Sequence, residues 1–126
     1  MSREKLIMIL DDDRDILDTY SHILRREGYE VITIQNVEEA RDIFRERKPD
    51  LLLLDLELPD KSGFRLCHEV SRDFPDIRIV ILSSKEGGGD REMARQFGAY
   101  GYIAKSASRQ MMLSQVAQSL EHKGSA

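Results

Sequence analysis

Short apolar runs alternate with amphipathic stretches along nearly the whole chain. LIMIL at 6–10 is a continuous apolar run of strand length. Residues 14–27 then place Ile16, Leu17, Tyr20, Ile23 and Leu24 on one face at helical spacing. Gly28 sits where a helix C-cap belongs. YEVITI at 29–34 is rich in β-branched side chains and predicts a second strand. Asn36 followed by Glu39 has the form of an N-cap with a capping box, opening a helix that buries Val37, Ala40, Ile43 and Phe44. Pro49 stops that helix, and DLLLL at 50–54 predicts a strand covered on both faces, since it lacks polar alternation. A helix over about 63–74 carries Phe64, Cys67, Val70 and Phe74 and ends at Pro75, and IRIVIL at 77–82 is a fourth strand. After a glycine-rich loop, Met93, Ala94 and Phe97 mark a short helix, and GYIA at 101–104 marks a fifth strand. Residues 107–121 form a last helix burying Leu113, Val116, Ala117 and Leu120, and the tail at 122–126 is expected to fray.

Five β–α units in this order imply an α/β fold, a doubly wound five-stranded parallel sheet with five helices in the outer layers. In such sheets ligands bind beyond the carboxyl ends of the strands, where the strand order reverses. The 126 residues fit one domain, with a core over about 4–121. Hydrophobic residues at 40% and charged residues at 33% exclude a disordered chain. No apolar run has the length of a membrane span, and the N-terminal MSREK precedes a run too short for a signal peptide. One cysteine, Cys67, cannot form an intramolecular disulfide, so a reducing cytoplasm is the expected location. The net charge of −4 argues against direct nucleic-acid binding, and RDIFRERK at 41–48 mixes signs as a solvated helix face does.

The chemistry gathers at the predicted strand ends. Asp11, Asp12 and Asp13 follow the first strand, Asp55 the third, Ser83 and Ser84 the fourth, and Lys105 the fifth. If the first and third strands are neighbours, Asp11, Asp12 and Asp55 converge. Carboxylates about 5 Å apart repel by about 3 kcal/mol per pair at an effective dielectric of about 20. A divalent cation with oxygen ligands relieves that, and Mg²⁺ suits a site with few carboxylates because it keeps waters and leaves room for a phosphate oxygen. Lys105 offers a positive charge and Ser83 a hydroxyl, both suited to phosphoryl oxygens. A carboxylate can itself attack phosphorus, giving an aspartyl phosphate.

Other polar residues have plainer readings. Asp13 is read as the cap of the first helix and Ser84 as a loop hydroxyl. Gly87, Gly88 and Gly89 lack the Lys-Ser/Thr ending of a phosphate cradle and read as a flexible helix entry. His22, His68 and His122 share no ligand spacing, Cys67 falls on a core-facing position, and Met111 and Met112 are assigned to packing.

Four segments, LIMILDDDRDIL, PDLLLLDLELPDKSGF, IVILSS and GAYGYIAKSAS, stand in the order and at the spacing of one family. Over residues 4–121 the chain resembles the receiver domain of two-component response regulators, a flavodoxin-like three-layer sandwich with strand order 2-1-3-4-5. The resemblance implies Asp55 as phosphoacceptor, Asp12 as a direct metal ligand, Asp11 acting on the metal largely through water, and the main-chain carbonyl of Glu57 as a further ligand of Mg²⁺, for which Mn²⁺ can substitute. Ser83 matches the switch hydroxyl, Lys105 the lysine that pairs with the phosphoryl group, and Tyr102 the aromatic whose rotamer reports activation. The implied partners are a sensor histidine kinase or histidine phosphotransfer protein and a downstream target or output domain. The chain is expected to be a monomer or a phosphorylation-dependent dimer. The resemblance further implies a signalling module with self-catalysed phosphotransfer and slow autodephosphorylation rather than an enzyme. The surface of the fourth helix, fifth strand and last helix would shift on phosphorylation.

Two departures from the family pattern stand out. Ser62-Gly63 replaces the usual Asp-Gly, and Ser106 replaces the proline after the lysine, so that a trans Lys105–Ser106 bond is expected. Glu57 and Lys85 occupy positions that tune hydrolysis, and an ion pair between them would prolong the phosphoryl state. Three other functions compete. A phosphatase would use Glu57, two residues after Asp55, as its second acid, but there is no room for a cap domain. A phosphorylation-independent scaffold leaves Asp55, Ser83 and Lys105 unexplained. A flavin binder would need a phosphate loop after the first strand, where acids stand instead.

Overall fold

The apolar runs pair into one parallel sheet, in a computed structural model that describes residues 4–58, 62–84, 92 and 95–121. In chain order the elements are β1 Leu6–Leu10, α1 Arg14–Arg26, β2 Glu30–Ile34, α2 Val37–Glu46, β3 Leu51–Asp55, α3 Ser62–Asp73, β4 Arg78–Ser83, β5 Gly101–Ala104 and α4 Arg109–Glu121. The strand order is β2-β1-β3-β4-β5, as expected, and every neighbouring pair is parallel. Leu10 pairs with Ile34 and Leu54, Asp55 with Leu82, and Ser83 with Ala104, so the strands end nearly level.

Both faces of the sheet are covered, which is why β1 and β3 are apolar at nearly every position. Ile7, Ile9, Leu53, Leu82 and Ile103 on one face meet Leu17, Tyr20 and Leu24 of α1 and Met112, Val116 and Leu120 of α4. Met8, Leu10, Leu52, Leu54 and Ile81 on the other meet Val37, Ala40 and Phe44 of α2 and Leu66, Cys67 and Val70 of α3. Asp13 caps α1, accepting from the Asp15 amide at 2.9 Å, and Asn36 caps α2 through the Glu39 amide at 2.9 Å. Gly28 follows α1 with φ +98°, a conformation glycine adopts without strain.

Several boundaries differ from expectation. Four helices are present among the described residues rather than five. Of the expected fourth, Met93 and Ala94 lie outside the described residues, as do Lys85, Gly87, Gly88, Gly89 and His122. The last helix starts at Arg109, because Ser108 caps it: its hydroxyl accepts from the Met111 amide and its carbonyl from the Met112 amide. That start turns Met112, Val116, Ser119 and Leu120 inward and leaves Leu113 and Ala117 half-buried. Asp55 is the last residue of β3 rather than the first beyond it.

Each helix runs back antiparallel to the strand before it, so the chain returns to the amino end of the sheet after every unit. Residue 4 precedes β1 and residue 121 ends α4, and both therefore lie at that amino end. There Asp50 ties β1 to β3, accepting from the Leu6 amide at 2.8 Å. Among the described residues no helix is long and apolar enough to cross a membrane.

Candidate functional site

The crevice at the carboxyl ends of β1, β3, β4 and β5 collects the polar residues that the apolar strands lead up to. The sheet ladder continues one residue past two of these strands. The Asp11 amide donates to the Ile34 carbonyl at 3.2 Å and the Lys105 amide to the Ser83 carbonyl at 2.8 Å. Strand alternation therefore holds through Ile9 and Asp11, Leu53 and Asp55, and Ile103 and Lys105. All three polar side chains emerge on the face covered by α1 and α4.

Asp11 is 0% exposed and Asp55 1%. One oxygen of each is held locally: Asp11 Oδ1 accepts from the Asp13 amide at 2.9 Å, and Asp55 Oδ1 from the Glu57 amide at 2.8 Å. The other oxygens share Lys105, whose Nζ lies 2.9 Å from Asp11 Oδ2 and 3.4 Å from Asp55 Oδ2. Asp12, exposed at the rim, completes a cluster in which one carboxylate oxygen from each of Asp11, Asp12 and Asp55 lies within 4.8 Å of the others.

The charges do not balance. Burial pushes the Asp55 carboxyl up to about 6; the Glu57 amide opposes the rise, Asp11 adds to it, and Lys105 opposes it. Burial is also the largest influence on Lys105 and works against its charge. The hydrogen bonds and charges of Asp11 and Asp55 together outweigh it and hold the ammonium above its ordinary value. An all-oxygen donor set with excess negative charge and one carboxylate at the solvent rim fits a hard divalent cation.

Ser83 closes β4 at 1% exposure, one residue beyond the Leu82 that pairs with Asp55. Tyr102 does not join this crevice. It packs half-buried against the cluster under α2 and α3, on the opposite face of β5 from Lys105. No peptide bond among the described residues is cis, Lys105–Ser106 included. Ser62 and Gly63 open α3, and a Cβ on Gly63 would stand 2.8 Å from the Asp55 carbonyl oxygen. Cys67 is buried beside the Phe97 carbonyl, and burial pushes its thiol up to about 11, as suits an inert core thiol. His22 and His68 are exposed.

Two features went unread in the sequence. Ser84 is more than a loop hydroxyl: its amide and Oγ donate to Glu57 Oε1 at 3.2 and 2.8 Å, bridging the ends of β3 and β4. The Lys85 expected to pair with Glu57 lies outside the described residues. The second is Tyr20, read as a core residue, whose buried hydroxyl has no hydrogen-bond partner among the described residues. Its helical spacing signalled burial, and nothing local signalled where the hydroxyl would lie.

The model of the response regulator receiver domain family matches residues 7–117. Among solved structures, the chain is similar to a CheY-like response regulator receiver domain protein from Methanospirillum hungatei JF-1, at 27% identity and a TM-score of 0.88, covering 96% of this chain and 97% of that one. It is similar to NtrX from Brucella abortus in complex with ADP, at 26% identity and a TM-score of 0.88, covering 96% of this chain and 27% of that one. A response regulator from Thermotoga maritima, at 24% identity and a TM-score of 0.88, shares the fold over 94% of this chain and 99% of its own.

Proposed function

Since the chain belongs to the response regulator receiver family, we propose that it accepts a phosphoryl group on Asp55 and thereby switches a partner-binding surface. The observation that carries this reading is Lys105 bridging Asp11 and Asp55 at 2.9 and 3.4 Å in the crevice where the strand order reverses.

In this reading a carboxylate oxygen of Asp55 attacks the phosphorus of a phosphohistidine on a sensor kinase or phosphotransfer protein. The P–N bond breaks, the imidazole leaves with the electron pair, and an aspartyl phosphate remains. Lys105 offsets the charge of the transferred group, and the Ser83 hydroxyl donates to one of its oxygens. Asp11, Asp12, Asp55 and the main-chain carbonyl of Glu57 would hold Mg²⁺, or Mn²⁺ on the same oxygen donors. A bound ion there would neutralise charge on the phosphoryl oxygens. The new group brings about −1.5 to −2 of charge. That charge draws Lys105 and Ser83 inward and shifts the surface that includes Tyr102 and α4 toward a second population. The chemistry is self-modification followed by slow loss of the phosphoryl group, with no turnover of a separate substrate. The lone cysteine fits a reducing cytoplasm as the location of this activity. A downstream target or output domain reads the switch, the chain itself being a monomer or a phosphorylation-dependent dimer.

Intact-mass analysis after incubation with a small acyl phosphate tests the reading. A Mg²⁺-dependent gain of one phosphoryl group is expected in wild type and none in Asp55→Asn. Equal labelling of the two proteins would move the acceptor elsewhere.

A further inference from the structure

Asp11 Oδ2 and Tyr20 Oη are the buried side-chain polar atoms that have no hydrogen-bond partner among the described residues. Asp11 Oδ2 still has the Lys105 ammonium at 2.9 Å, whereas Tyr20 Oη has no such partner among the described residues, although the residue is only 6% exposed. Leaving a hydroxyl so buried is costly, and phenylalanine would fill the same space without that cost.

The backbone places the two atoms on the same side of the sheet. Tyr20 packs in the cluster that contains Ile9 and Ile103, which stand two residues before Asp11 and Lys105 on the same strand face. Helical side chains lean toward the helix N-terminus, and the N-terminus of α1 lies at the site end of the sheet. The phenol therefore projects from beneath toward the Asp11–Lys105 pair. The charges of both residues act on it, Lys105 favouring ionisation and Asp11 opposing it, while burial outweighs both and keeps it a protonated donor.

Lys105 is already shared between Asp11 Oδ2 at 2.9 Å and Asp55 Oδ2 at 3.4 Å, and the extra charge of a phosphoryl group on Asp55 would draw its ammonium toward Asp55. Asp11 is fully buried and its Oδ1 is already taken by the Asp13 amide, so a lysine drawn to the phosphoryl oxygens weakens its contact with Oδ2, and a cation held there through water would leave that oxygen room for a further donor. We infer that Tyr20 is a positioning residue, whose hydroxyl donates to Asp11 Oδ2, directly or through one water, as Lys105 swings toward the phosphorylated Asp55. This rests on the phosphoacceptor reading above, and it gives the chain a second donor beneath the crevice.

Tyr20→Phe deletes only the hydroxyl. In cation-free buffer the variant should melt at the wild-type temperature or higher, because it removes an unpartnered buried group. With Mg²⁺ and an acyl phosphate it should gain the phosphoryl group about tenfold more slowly, the effect of losing one hydrogen bond to a charged acceptor. In the wild type, the ring-carbon NMR resonance beside the Tyr20 hydroxyl should shift on phosphorylation. Equal labelling rates in the two proteins, or a resonance unmoved by phosphorylation, would overturn the inference and leave the reading of Asp55 intact. Should wild type take up no phosphoryl group under any donor, both fall together. If Tyr20→Phe does not fold, the resonance in wild type still decides.

Discussion

Glu57 reaches from the end of one strand to the end of the next. Its amide donates to Asp55 Oδ1, and its Oε1 accepts from the Ser84 amide and hydroxyl, so the side chain is strapped across the edge of the crevice. A strapped side chain beside the phosphoacceptor limits where water can stand for attack. Glu57→Ala should therefore shed its phosphoryl group faster than wild type, roughly fivefold if the strap contributes about 1 kcal/mol to the barrier. Following the labelled mass over time checks this, and unchanged lifetimes would remove Glu57 from the account. Asp11, Asp55 and Lys105 were legible in the sequence because each ends an apolar run, where a charged residue has no packing role. The bond from Ser84 to Glu57 was not, because a hydroxyl's choice of acceptor 27 positions away depends on which strands lie side by side.

At the level of elements, the first turn of α3 lies directly against the end of β3. A methyl group on Gly63 would meet the Asp55 carbonyl oxygen at 2.8 Å and the Leu56 Cα at 3.3 Å, both backbone atoms that cannot rotate aside. Gly63→Ala should cost about 1–3 kcal/mol in denaturant unfolding and slow labelling of Asp55 as well, since the strand end must give way. Gly101→Ala, whose new methyl would meet Val80 Cγ2 at 3.6 Å, is the tolerated comparison. Of the elements, the strands were the most legible, since apolar runs as short as LIMIL and LLLL between polar residues have the length of a strand covered on both faces. Helix ends were less so. Ser108 reads as one polar residue among several, and only its hydrogen bonds to the Met111 and Met112 amides show that α4 begins after it and which stripe turns inward.

For the molecule as a whole, the site is a standing cost to the fold. Three carboxylates with oxygens within 4.8 Å, two of them buried, face a single ammonium among the described residues, on a chain of net charge −4. A cation bound only to the folded state should raise its stability by mass action, about 2.7 kcal/mol at a concentration one hundred times its Kd. The melting temperature is accordingly expected to climb by several degrees with Mg²⁺ and to fall back with a chelator. Asp12→Asn should start higher without the ion, having lost one repelling charge, and respond less to it. A wild-type melting curve indifferent to Mg²⁺ would argue that the acidic cluster holds no such ion.

Both ends of the described chain lie at the amino end of the sheet, and the crevice lies at the other. A tether fixed at either end of the described residues thus leaves the mouth of the crevice, at Asp12, open to solution. The protein can be immobilised on a sensor surface, or joined to a reporter at either end, without blocking the approach of a phosphoryl donor.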